Sequence, residues 1–463
     1  MSKKAMHIMI LFTLFPLAVG LACLSSRGDP TATPRPVVET EVMVEAPTSE
    51  LTIEVVQEAT EEPTPTPSAP EDFVLLDNSL WVQDGSMVFA AFMVENQSSD
   101  LLYEDVEFTI RLLDENGNLV DEDYQNILWF FPGQTVGLVT NYWLETEAEV
   151  MGGVEVEWTY AGTSPVGDLL NPLTYEDAVY WGNGGYPLVT GRVVNTDTTT
   201  TFTDVRANVI CFNKAGEVVG GGVTYVYFVQ REAYMGFSAY VDTFGDVASV
   251  EVFPSLTFAS QWIDKADFLS EIVIEDEYFY EDDLGYLQGG FIARNETEYV
   301  LRNSLVSINF YDENDHITAT ASSYIDLLLP GDAVGIVPWV TTPPEGVESK
   351  EFDFRLLPGE VDDAYELDAN PFVINSITVT GDEDNYVLVN FTNQYSKTVS
   401  EVDVFVLVYN ATGEIIGGGK DWTKSPTPPG GTSELEVWVT YDSTETVAVA
   451  EAWVVPSFFS NFE

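Results

Sequence analysis

Cysteine, histidine and basic side chains are all scarce in this 463-residue chain. Two cysteines, Cys23 and Cys211, cannot build a disulfide framework. Two histidines, His7 and His316, leave little for histidine-based catalysis. Lys and Arg number 17 against 76 Asp and Glu, a formal net charge of −59. Neutralising phosphates needs the basic residues that are missing, so no nucleic-acid partner is expected. The same deficit argues against docking on anionic lipid by charge. No stretch shows a long 3.6-residue hydrophobic period, which sets helices aside. Apolar and aromatic residues are plentiful, at 45% and 13%, too many for a disordered acidic tail. At roughly 100–200 residues per domain, the length predicts three or four domains.

Lys3 and Lys4 precede an apolar run over residues 8–22 that is broken by Pro16. The run is shorter than the ~20 residues a spanning helix needs and fits the apolar region of a signal peptide. It ends Val19-Gly20-Leu21-Ala22-Cys23, which resembles the lipobox of bacterial lipoproteins, although Gly20 stands where leucine is more usual. The resemblance implies a signal peptide over 1–22 and lipidation of Cys23. The chain would then be secreted and held by that lipid on the extracellular face of a bacterial membrane. The alternative is an ordinary secretory signal with Cys23 incidental. Residues 24–70 hold eight Pro, eight Thr and eight Glu and no aromatic. Such a stretch cannot bury enough apolar surface to offset its ordering entropy, so 23–70 reads as a disordered tether. As a flexible coil it would reach ~40 Å, more with its prolines and like charges.

A repeat governs the remainder. Four segments share the pattern apolar, any, apolar, apolar, Asp or Asn: Ile110–Asp114, Val209–Asn213, Ile308–Asp312 and Val406–Asn410, with starts 99, 99 and 98 residues apart. An asparagine precedes each by 13 or 14 residues: Asn96, Asn195, Asn295 and Asn393. A turn sequence follows each, and Pro-Gly comes later at 132–133, 330–331 and 429–430, with Arg231-Glu232 in that place in the second repeat. Runs such as Val106-x-Phe108-x-Ile110-x-Leu112 alternate with period two, which predicts strands with one side on a core and the other in water. About seven short strands in ~90 residues predict an all-β fold of four tandem immunoglobulin-like antiparallel β-sandwich domains, over 71–160, 173–257, 268–358 and 372–457. Ala161–Pro172, Phe258–Asp267 and Val361–Pro371 would connect them.

These motifs resemble the FxLYD-type domain, a small immunoglobulin-like sandwich of bacterial and archaeal surface and secreted proteins. Only Phe310-Tyr311-Asp312 approaches the family's own letters, and the second repeat departs most, with Cys211-Phe212-Asn213 and no Pro-Gly. The resemblance implies a fold and a surface setting, and no catalytic residue.

Cys211 occupies the register of Leu112, Phe310 and Val408, which favours a buried small hydrophobe over a reactive thiol. His316 sits just past a turn without G-x-S-x-G or H-E-x-x-H nearby, and reads as a solvated turn residue. Gly220–Gly222 and Gly417–Gly419 with Lys420 lack the Ser/Thr of a P-loop and read as a strand edge or bulge. Trp339, Trp438 and Tyr240 share a register position, which favours core over a sugar-stacking platform; Trp81, Trp129 and Trp422 do not recur and are the better candidates for exposure. Crowded carboxylates at Asp276, Glu277, Glu281, Asp282 and Asp283 offer hard oxygen ligands for Ca²⁺, weighed against a solvated acidic face.

Together these readings imply a non-enzymatic surface lipoprotein that spaces, adheres or binds an envelope protein or polysaccharide, with no cofactor beyond possible Ca²⁺. The alternatives are a glycan-acting hydrolase with an unrecognised carboxylate pair and a Ca²⁺-rigidified surface rod. Mass spectrometry of the mature chain is expected to find a lipidated Cys23 at its N-terminus, with Cys23→Ala releasing the protein to the medium.

Overall fold

β-Branched and aromatic residues in period two, punctuated by Asp, Asn, Gly and Pro, fold as strand after strand. The computed structural model describes residues 72–462 except 78, 145–150, 168–169, 183–185, 264–271, 283–285, 345, 350, 358, 362–366, 368, 381–384, 424 and 458–459. The signal-like run, Cys23, the tether and Asp283 lie outside the described residues. Residues Thr66–Glu463 cluster as one compact body. The described residues contain no helix, and their sheets are antiparallel.

Each repeat contributes a short sheet and a long sheet. The short sheets centre on Met87–Asn96, Leu188–Asn195, Leu287–Asn295 and Tyr386–Asn393, the strands that end at the repeated asparagine. The long sheets centre on Leu101–Asp114, Thr201–Phe212, Leu301–Tyr311 and Val402–Tyr409, which carry the apolar-x-apolar-apolar motif. Between the two sheets lie four hydrophobic clusters, one per repeat, containing Phe108 and Ile110, Val209 and Cys211, Ile308 and Phe310, and Val406 and Val408. The expected connectors are partly strand: Gly162–Pro165 pairs with Leu101–Glu104, and Trp262–Ile263 with Thr201–Phe202. They extend the long sheets because the central strand there outruns its other neighbours.

The repeated asparagines are fully buried. The Asn96 amide donates to the carbonyls of Leu101 and Phe130, and its Oδ1 accepts from the Ser98 N–H. Asn195 does the same with Thr200, Val229 and Asp197, Asn295 with Tyr299, Leu328 and Thr297, and Asn393 with Lys397, Thr427 and Tyr395. One side chain thus ties the crossing between the sheets to a strand end about 34 residues later. The glycine of each Pro-Gly turn donates its N–H back to the same asparagine's carbonyl, as Gly133 does to Asn96. Glu232 takes the left-handed backbone there in the second repeat, at φ 51°, a conformation that costs a non-glycine residue about 1–2 kcal/mol.

The motif's terminal Asp or Asn closes the hairpin. Asp114 Oδ1 accepts from the N–H of Asn116 and Asn118, and Asn213, Asp312 and Asn410 repeat this pair of bonds. Hydrogen bonds from Asn118, side chain then backbone, hold the Asp114 carboxyl below the ordinary carboxylate range.

The outer face of the long sheet departs from the expected alternation. In the first repeat Leu101–Asp114 alternates between core and surface, and Arg111 on its outer face pairs with Glu122 and Glu157. In the later repeats the same face is buried against the preceding repeat's short sheet. Ile210, Phe212 and Phe253 pack on Phe89, Met93 and Val139. Arg192 pairs with Asp315, and the Gly236 N–H donates to Asn309 Oδ1 at 3.1 Å. Leu407 and Ile415 pack on Ile292, with Trp453 and Val337 beside them. Runs such as Val-Ile-Cys-Phe are therefore apolar on both faces, because neither face meets water.

Asn295→Ala is expected to strand the carbonyls of Tyr299 and Leu328 and the N–H of Thr297, costing about 3 kcal/mol or more in urea unfolding. A loss below about 1 kcal/mol would show that the buried amide is dispensable.

Candidate functional site

The stacking consumes three of the four short-sheet outer faces. Three residues before each asparagine the central strand pairs with a column one strand over: Met93 with Gly137, Arg192 with Gly236, Ile292 with Gly335 and Asn390 with Glu434. The glycines are required by close approach. A Cβ at Gly137 would stand 2.6 Å from Phe253, at Gly236 2.3 Å from Asn309 and at Gly335 2.3 Å from Trp453, all of the following repeat. In the fourth repeat the column ends in Glu434, which is exposed.

Phe372–Val379, Tyr386–Asn393 and Thr432–Trp438 build this last face. Period two turns Val387, Val389 and Phe391 inward to the core and leaves Tyr386, Leu388, Asn390 and Thr392 outward. Asn375 Nδ2 donates to Asn390 Oδ1 at 2.8 Å and to Thr392 Oγ1 at 2.9 Å. Asn390 Nδ2 donates to Glu434 Oε2 at 3.3 Å, and the hydroxyls of Thr392 and Thr432 lie 3.0 Å apart. At one end the rings of Tyr386 and Trp438 meet edge to face at 4.9 Å, with Trp438 50% exposed. Amides, hydroxyls and a carboxylate beside an exposed indole can hydrogen-bond a ligand's hydroxyls while the ring covers its C–H surface.

The calcium candidates are placed as strand and turn. Glu275, at their head, is occupied by Arg294 through a two-pronged ion pair at 3.0 Å, and the hydrogen bonds from Arg294 lower its pKa. Asp276 and Glu277 are exposed beside a bulge, Asp276 at φ 47°, as Asp177 is at φ 52° one repeat earlier. Glu281 ends the strand and is exposed. Asp282 closes the turn, accepting at Oδ1 from the Tyr286 N–H at 2.9 Å. Among the described residues no three or more His, Cys, Asp or Glu are arranged to hold a metal.

Cys211 is buried in the second core, and burial pushes its thiol up to about 12. His316 lies 3.2 Å from Asp312 Oδ2 on its hairpin, beside Trp181. The triple glycines lie inside Val218–Val229 and Ile415–Trp422, beside a register shift in each, and Cβ atoms at Gly220 and Gly222 would stand 2.1 Å from the carbonyls of Asp242 and Tyr240. Tyr240 and Trp438 are half exposed, against the expectation of core. Their strands turn this position outward, away from the core. Trp81 and Trp422 are exposed, whereas Trp129 is half buried, edge to face with Trp262 at 5.2 Å.

The open face escaped sequence reasoning, although a signal existed. The register 137, 236, 335, 434 reads Gly, Gly, Gly, Glu. No protein-family model matches the chain, and no curated protein matches it either.

Because Asp282 acts through the turn, Asp282→Ala is expected to lower the melting temperature by a few degrees, equally in millimolar Ca²⁺ and in EDTA. A Ca²⁺-dependent rise in the parent protein that the variant loses would assign the segment to metal binding instead.

Proposed function

We propose that this chain is a non-enzymatic surface lipoprotein, anchored through Cys23 on the outer side of a bacterial membrane. Tandem immunoglobulin-like sandwiches of the FxLYD type carry a glycan-binding face on the fourth repeat. The observation that supports this reading is the replacement of the glycine column by Glu434, with the Asn375–Asn390–Thr392 ladder and the Tyr386–Trp438 pair beside it. A face meant only to stop the stack needs charge alone; this one adds amides and an aromatic pair. Glu434 and Glu436 would repel the same face of a second molecule, in a chain already at −59. A neutral polysaccharide meets no such repulsion and offers the hydroxyls and C–H faces that these side chains complement.

On a glycan array the soluble chain should retain neutral polysaccharides. Trp438→Ala and Asn390→Ala should each weaken binding about tenfold, the equivalent of about 1.4 kcal/mol, with the melting temperature held. Absence of binding by the parent protein would leave spacing as its role.

A further inference from the structure

The third junction sets two carboxylates against one ammonium, where the second holds the Arg192–Asp315 pair. Asp403 lies on the outer face of Val402–Tyr409, the face turned to the third repeat, and is only 4% exposed. In the preceding repeat Leu305 holds the same register, and it packs into the second repeat's core cluster. Lys420 of Ile415–Trp422 places its ammonium 3.4 Å from Asp403 Oδ2 and 3.5 Å from Oδ2 of Asp326, which belongs to Ile317–Leu328 of the third repeat. The same ammonium lies 4.6 Å from the centre of the Phe405 ring.

We propose that one proton shared between Asp326 and Asp403 closes the junction between the third and fourth repeats, and that alkalinisation removes it and loosens the fourth repeat. Two carboxylates face a single ammonium. With one proton between them, the protonated carboxyl donates to its partner and the trio is neutral. Without the proton, one negative charge is in excess where the Asp403 carboxyl is almost wholly buried, with only the Lys420 side open to water, and like charges in contact disfavour that state. The charged groups that act on Asp403 are Asp326 from the third repeat and Lys420 from the adjacent strand. Its partner on the other side, Val449–Pro456, brings Val455 opposite it, with Trp453 alongside, and its own strand brings Phe405; none of these titrates.

Burial first, then the hydrogen bond with Asp326, pushes the Asp403 carboxyl up to about 8. The folded protein thus keeps a proton that the unfolded chain gives up near pH 4. The stability so conferred is full below that pH and is lost as pH rises through about 8. Because the fourth repeat carries Glu434 and Trp438, such a device would govern how firmly the open face is held; the junction itself stands independently of any glycan.

The test is amide hydrogen exchange on the full chain from pH 5 to 9, corrected for intrinsic rates. The junction strands Val402–Tyr409 and Val449–Pro456 should open more readily with pH, by up to about tenfold per unit below pH 8. Thr201–Phe212 serves as the unaffected reference. Asp403→Asn and Asp326→Asn should each flatten the dependence between pH 6 and 9. Carbon-13 titration of the Asp403 carboxyl in the parent protein requires neither variant to fold and should show a midpoint near 8. A midpoint below about 5, or a pH dependence that persists in Asp403→Asn, overturns the proposal.

Discussion

A carboxamide removed from water needs its donors and its acceptor paired. At Asn96, Asn195, Asn295 and Asn393 the partners are backbone groups that meet only when the sandwich is closed. The amide reaches the carbonyl at the crossing from short sheet to long sheet and a second carbonyl some 34 residues on, while its oxygen holds the turn. No exposed residue can perform this service, because water would compete for every bond. The repeat period of about 99 residues is therefore the spacing of one clamp to the next, and the cores on either side of it fill with valine, isoleucine and phenylalanine.

Stacking adds a second constraint. A short sheet that receives the next repeat must be flat where its neighbour's Phe253, Asn309 or Trp453 seats, and only glycine leaves the backbone bare enough. The three junctions share this geometry and differ in chemistry: hydrocarbon at the first, an arginine–aspartate pair and amide bonds at the second, and hydrocarbon with a buried acid pair at the third. Both ends are charged. Arg111, Glu122 and Glu157 cover the outer face of the first long sheet, and Glu434 and Glu436 stand on the last short sheet. Polar terminal faces are what keep a stack of repeats finite and soluble.

The proposed binding face and the proposed proton-held junction lie on opposite sheets of the same repeat. One uses a sheet face that no described repeat covers; the other uses the burial that packing imposes. The same side-chain types serve both, since an exposed carboxylate can hydrogen-bond a ligand while burial beside a second carboxylate favours the protonated form.

Much of this architecture is legible in the amino-acid sequence. Period-two runs, Asp/Asn-Gly turns and the recurrence of Asn96, Asn195, Asn295 and Asn393 determined an all-β chain and the register of its strands, because the spacing of apolar and turn residues is local and survives in one dimension. Cys211 could be placed in a core by register alone. What only the tertiary structure decided was which outer faces meet water. Leu407 and Phe212 look like surface positions by alternation yet are buried, and Trp438 looks like core by recurrence yet is exposed. The reason is physical: burial of an outward residue depends on whether another repeat lies across it, and that is settled by contacts between residues far apart in the chain. For the same reason Asp326 and Asp403, 77 positions apart in sequence, meet across one ammonium only when the sheets are laid together.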